Sequence, residues 1–203
     1  MAHIPDGVLS LPVLITGAVV TVATVAVATR RMDYDRIPQA AVLAAAFFVA
    51  SLVTVPVGPS SVHLVLNGLM GVLLGWAAVP AVLIALLMQA MFFGYGGLMV
   101  LGVNTANIAL PALLCGALIA PRLHASEGRA TLMWGALAGG LAVALTAVMV
   151  SLSLLLSGPE YLPAGKVVAV TYLPLMVAEA AVTAAALSFM QRVAPELLLA
   201  GRV

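Results

Sequence analysis

Charge is what this sequence has least of. Asp, Glu, Lys and Arg together make up 7% of the 203 residues, against about 25% in an ordinary soluble domain. A chain so poor in charge cannot cover itself in water, which excludes a soluble globular protein and leaves an integral membrane protein. Aromatic residues are also few, at 5%, and the apolar stretches are unbroken runs of Ala, Leu and Val. A membrane barrel would alternate polar and apolar residues, so the fold class is all-α. Cysteine occurs once, as Cys115. It can form no intramolecular disulfide, and inside an apolar run it packs as a small hydrophobe. Three catalytic signatures are missing: the Gly-x-x-x-x-Gly-Lys-Ser/Thr phosphate loop, the His-Glu-x-x-His zinc motif and the Gly-x-Ser-x-Gly elbow. The chain therefore carries no ATPase of its own and does not read as an enzyme.

What is there is hydrophobic: 64% of residues, with a mean hydropathy of +1.22. Seven membrane spans are expected, at about 9–29, 38–57, 62–75, 78–93, 108–120, 132–156 and 168–190. The first could pass for a signal peptide, but its basic residues, Arg30 and Arg31, follow the apolar run rather than precede it. The second ends at the breaker cluster Gly58-Pro59-Ser60-Ser61. The third is short for a core of about 30 Å, which takes about 20 helical residues to cross. Pro111 is expected near the start of the fifth span, and Pro174 is expected to bend the seventh or mark its start. The organisation is one membrane domain, residues 1–203: an N-terminal segment 1–8, a bundle 9–191 and a short tail 192–203.

Basic residues orient the bundle. With the N-terminus outside and the spans alternating, Arg30, Arg31, Arg36, Arg122, Arg129, Arg192 and Arg202 fall on the cytoplasmic side and only Lys166 falls outside. That is the asymmetry the positive-inside rule requires. The C-terminus is then cytoplasmic, and the chain crosses the membrane several times.

Two histidines share the outer side. His3 lies in the opening Met1-Ala2-His3-Ile4-Pro5-Asp6-Gly7, where an α-amine, the next backbone amides and an imidazole can hold one metal ion. A square of nitrogen donors suits Ni(II) or Cu(II). An ordinary interfacial histidine in a short tail fits the same residues. His63 opens the third span, with Asn67 one helical turn on. Its alternative reading is a helix-start histidine bonded to a backbone carbonyl. Gln89, Asn104, Thr105, Asn107 and Glu179 are further polar residues at membrane depth, where such groups are rare. Interhelical hydrogen bonding accounts for the amides and hydroxyls. Glu179 suits either a structural partner or a proton site.

His3-Ile4-Pro5-Asp6-Gly7, then Ser61-Val62-His63-Leu64-Val65-Leu66-Asn67-Gly68, then Gly94-Tyr95-Gly96-Gly97 and Leu101-Gly102-Val103-Asn104-Thr105 together resemble the CbiM/NikM family. These are substrate-binding membrane subunits of energy-coupling-factor importers for cobalt and nickel. The matches run in order as far as about Pro111, and the last third resembles the family mainly in its hydrophobic layout.

The resemblance implies a metal held by the terminal amine, a backbone amide, the imidazole beside it and a second histidine, carried over as His3 and His63. Family chains typically begin Met-His, whereas this one begins Met1-Ala2-His3. If Met1 is retained, the terminus completes a four-nitrogen square alone and His63 is axial or unused. If Met1 is removed, the Ala2 amine, the His3 amide and the His3 imidazole supply three positions and His63 the fourth. Ala2 is small enough for methionine removal, so the mature chain is expected to start there. Co(II) and Ni(II) are not separated by these ligands, and either would be cargo rather than cofactor. Asn67, Asn104 and Thr105 are candidates for fixing the imidazoles and the loop.

The resemblance further implies two ATPase subunits, a transmembrane coupling subunit and a small accessory membrane protein as partners, in a setting of cobalamin biosynthesis, with no nucleic-acid partner. The Ala77, Ala81 and Ala85 stripe is a candidate docking face, since small residues let helices approach closely. The alternative reading is a proton-coupled secondary metal carrier with Glu179 as its proton site.

Overall fold

The computed structural model describes residues 3–57 and 60–199. Its main elements are α1 (Leu11–Arg31), α2 (Ile37–Ala50), β1 (Thr54–Val57), β2 (Ser60–His63), α3 (Asn67–Leu74), α4 (Ala78–Phe93), α5 (Leu101–His124), α6 (Arg129–Leu155), α7 (Leu162–Val193) and α8 (Pro195–Leu199). Single 3₁₀ turns precede α2, α4 and α7. The all-α membrane class holds. By length and apolarity, five stretches among the described residues qualify as membrane spans: 11–31, 67–93, 101–124, 129–155 and 159–193.

The expected seven spans differ from these five for physical reasons. The apolar run 38–57 does not stay helical: α2 stops at Ala50, and the chain turns into the antiparallel hairpin β1–β2, with Thr54 opposite His63. At 14 residues, α2 is about 21 Å long at 1.5 Å per residue. The stretch 67–93 is interrupted at Gly75–Ala77. There α3 and α4 reverse direction, since residues preceding α3 and following α4 meet at one end of the bundle (His63 with Tyr95). Pro111 lies inside α5 rather than at its start, and Pro174 lies inside α7, which excludes only the alternative that it marks the start of that span; α5 begins at Leu101, well before the expected start at 108.

The helices alternate between two ends. At one end Ser10 N–H donates to the Ser157 hydroxyl. At the other, Arg36 donates to the Leu73 carbonyl and to Gln39, Arg31 lies over the Trp76 ring, and Thr131 donates to Gln191. The described arginines at helix ends, Arg30, Arg31, Arg122, Arg129 and Arg192, sit at this second end, whereas Lys166 lies near the start of α7 at the first.

Large apolar side chains face outward along the peripheral helices, among them Ile15, Val19 and Val22 of α1 and Leu173 and Val177 of α7. All eight residues of α3 are buried. Helix α3 packs on α5 so closely that a Cβ on Gly71 would overlap the Ala112 carbonyl and one on Gly116 would overlap the Gly71 carbonyl. Only glycine permits this approach. Gly71→Leu is therefore expected to lower the melting temperature in detergent by several degrees, as overpacking costs about 1–3 kcal/mol. An unchanged melt would contradict the contact. The stripe Ala77, Ala81 and Ala85 is buried in the same core. It is consumed by the chain's own packing and offers no docking face. Cys115 is buried and free, as expected of a small hydrophobe.

Candidate metal centre

Three segments meet at the end of the bundle away from the arginines: residues 3–10 before α1, the end of β2 with the turn that follows it (62–66), and the loop 94–100 between α4 and α5. The first is pinned by side chains that reach across the chain. Asn104, in the first turn of α5, accepts from the Ile4 N–H at 3.1 Å and donates to the Ile4 carbonyl at 3.0 Å. Asp6 accepts from the Val100 N–H at 3.0 Å, an acidic cap on the positive end of α5. The loop yields space for it: a Cβ on Gly97 would overlap the Asp6 carboxylate. His3 is thereby held at 5% exposure.

His63 ends β2 and is 2% exposed. Its Nδ1 donates to the Leu64 carbonyl at 3.0 Å, which directs Nε2 away from the backbone. The His3 and His63 rings lie 4.8 Å apart between centroids. Tyr95 covers both, parallel to His63 within 7° at 6.0 Å and 6.4 Å from His3. Three of the four imidazole nitrogens, His3 Nδ1, His3 Nε2 and His63 Nε2, are buried without a hydrogen-bond partner. Buried polar atoms are nearly always paired, so two adjacent buried imidazoles, tilted by 33° and with three ring nitrogens left unbonded, are an arrangement suited to holding a metal ion. Among the described residues no group of three His, Cys, Asp or Glu side chains is placed to hold a metal. An ion here would draw its other donors from backbone, terminus or water.

Burial, with the His63 charge second, pushes the His3 imidazole down to about 3, against a smaller opposing contribution from Gln89. Burial also lowers His63. Both rings are therefore neutral and available as donors at ordinary pH. An unfolded histidine titrates near 6.5, so between that value and about 3 the unfolded chain binds more protons at His3 than the folded one. Stability is then lost as pH falls through this window. The metal-free protein is expected to melt progressively lower from about pH 7 to about pH 5, and His3→Ala should flatten that slope. An equal slope in the variant would contradict the burial of a neutral ring.

The expected site residues divide clearly. The structure brings His3 and His63 together. Ala2 and Met1 lie outside the described residues. Asn104 touches the His3 segment. Asn67 instead donates to Thr146 at 2.9 Å and to the Ile108 carbonyl, and Thr105 bonds back to Leu101 within its own helix, so neither contacts an imidazole by these bonds. Gln89 reaches from α4 to the Phe47 carbonyl of α2 and also lies beside His3. Sequence reasoning gave no role to Asp6 or Tyr95, although both sit in the quoted motifs. Asn104→Ala is expected to weaken metal binding about 10-fold, within the range typical of outer-shell partners, measured by competition with a chelator. Undiminished affinity would show that Ile4 is held without it.

A family profile described as the cobalt uptake substrate-specific transmembrane region, CbiM, matches residues 3–197. A Haemophilus influenzae protein named for metal transport is 40% identical over 97% of this chain and 96% of its own length. The cobalt transport protein CbiM of Sorangium cellulosum is 30% identical over 97% and 94%. The fused nickel transport protein NikMN of Rhodobacter capsulatus is 38% identical over 97% of this chain, which spans 63% of that longer protein. A crystal structure of a transition metal transporter superposes with a TM-score of 0.76 at 25% identity, covering 97% of this chain and 96% of the other. With fold, motif order and full-length similarity in agreement, the chain belongs to the CbiM family of substrate-specific transmembrane proteins of cobalt uptake.

Proposed function

We propose that this protein captures Co(II) or Ni(II) at the outer face of a prokaryotic membrane and hands it to an energy-coupling-factor importer driven by ATP. The family is a transport component rather than an enzyme, and relatives named for cobalt and for nickel support either ion as substrate. The observation that carries the reading is the buried His3–His63 pair with its unpartnered nitrogens. In the proposed site the Ala2 amine, the His3 amide and the two imidazoles form the donor set. A deprotonated amide is a strong in-plane donor. Ni(II) and its neighbours late in the Irving–Williams series can displace that proton, whereas oxygen-seeking Mg(II) and Ca(II) cannot. A square plane also disfavours Zn(II), which takes a tetrahedron.

The site end faces outward in this reading because the arginines gather at the other end, as the positive-inside rule asks of a cytoplasmic face. Residues 1–203 act as one membrane unit, with α8 in the cytoplasmic tail. Energy comes from ATPase subunits through a transmembrane coupling subunit, with a small accessory membrane protein assisting. The test is uptake of labelled Co(II) and Ni(II) by cells expressing this chain with and without such partners. ATP-dependent uptake only with partners is expected. Full uptake by the chain alone, collapsing with the proton gradient, would favour a secondary carrier.

A further inference from the structure

Glu179 lies deep in α7 and is fully buried, yet its hydrogen bonds go to the backbone just after His63. One carboxylate oxygen accepts from Val65 N–H and, at 2.9 Å, from Leu66 N–H; the other accepts from Leu66 N–H at 3.1 Å. Leu66 has φ 53°, and among the described residues it is the single non-glycine residue with positive φ. A left-handed backbone is unfavourable for an L-residue with a bulky side chain, so this turn needs something that over-determines it. A carboxylate gripping two successive amides does so. The turn stands between β2, which ends in His63, and α3, whose first residue Asn67 is fixed by Thr146 and the Ile108 carbonyl. With α3 wholly buried and packed tightly against α5, the two residues that Glu179 holds are the link between that fixed helix and His63, whose strand is paired with Thr54 on its other side.

We propose that Glu179 is the positioning residue of His63: by clamping the Val65 and Leu66 amides from α7, it presents the His63 imidazole to His3 for the captured ion. This rests on the metal-capture reading and deepens it. Glu179 touches neither imidazole through these bonds, so in this proposal its effect on the ion passes through the position of His63. That dependence separates it from a general contribution to the bundle.

The experiment is a double-mutant cycle on the full chain in detergent or nanodiscs. Ni(II) and Co(II) affinities are read by chelator competition, and the ligand-field spectrum of the bound ion is recorded alongside. Glu179→Ala should weaken binding about 10–100-fold, the range for outer-shell partners, and shift the spectrum toward that of His63→Ala. Glu179→Gln, which keeps one carbonyl acceptor, should fall between. In the His63→Ala background neither substitution should change affinity more than about 2-fold, because coupled residues are non-additive.

Equal losses in both backgrounds would overturn the proposal in favour of a general structural role. Wild-type affinity and spectrum in Glu179→Ala would overturn it too. Glu179→Gln that binds like wild type but no longer supports uptake would point to proton carriage instead. If Glu179→Ala does not yield folded protein, the Glu179→Gln cycle decides by the same criteria. Failure of the unsubstituted protein to bind either ion is a separate outcome, and it would remove the capture reading itself.

Discussion

His63→Ala is expected to weaken Co(II) or Ni(II) binding on the order of 100-fold or more. The change removes a donor rather than an outer partner, and loss of an outer partner alone typically costs about 10–100-fold. The remaining site would keep the terminal nitrogens and His3, so residual weak binding with an altered ligand-field spectrum is the expected signature. The fold should survive, since the His63 side chain bonds only to the adjacent Leu64 carbonyl and the hairpin pairs through backbone. Chelator competition and absorption spectra on the purified protein decide it. Binding unchanged within about 2-fold would show that His63 is not a ligand, whatever its distance from His3.

The second large effect concerns the terminus. Adding two residues such as Gly-Ser ahead of the first mature residue is expected to abolish high-affinity binding while leaving His3, His63 and the bundle untouched. The reason is geometric. Ile4 is 3% exposed and clamped on both its N–H and its carbonyl by Asn104, and Asp6 is tied to Val100. The segment cannot slide to offer a new amine in the same place. If extended protein binds as tightly as the native chain, the terminal amine is not a donor and the imidazoles must be completed by other groups. The extended variant's melting temperature in the metal-free state serves as the control for folding.

The meeting of His3 and His63 was legible in the sequence because histidines are rare here and the charge asymmetry put both on one side without reference to metal. Asn104 was legible because it closes a motif, although its partner, the Ile4 backbone a hundred residues away, was not. Thr105 has the composition of a site residue and the geometry of a helix residue satisfied by its own turn. The hairpin escaped because a short apolar stretch reads alike as strand or helix; here the residues from Val53 to Val57 continue the hydropathy of α2 without a break. The early start of α5 escaped for a related reason, since the glycines from Gly94 to Gly97 make the following apolar residues look like loop. The grip of Glu179 on Leu66 had no local signal at all. It depends on α7 folding back against a turn more than a hundred residues earlier, and carboxylate-to-backbone bonds leave no pattern in sequence. The buried Ala77, Ala81 and Ala85 stripe shows the limit of spacing arguments in an alanine-rich chain: small residues at every fourth position suit an internal helix contact as well as an external one.

In the proposed site one transition-metal ion is held jointly by the mature N-terminus, His3 and His63. Native mass spectrometry of the purified, metal-loaded protein tests it in a single measurement of chain mass and bound ion. A mass lacking Met1, with one Co or Ni per chain that falls to a small residual fraction in His63→Ala at the same metal concentration, is the predicted result. A retained Met1 with metal still bound in His63→Ala would contradict it, since the terminus would then be completing the square without the second histidine.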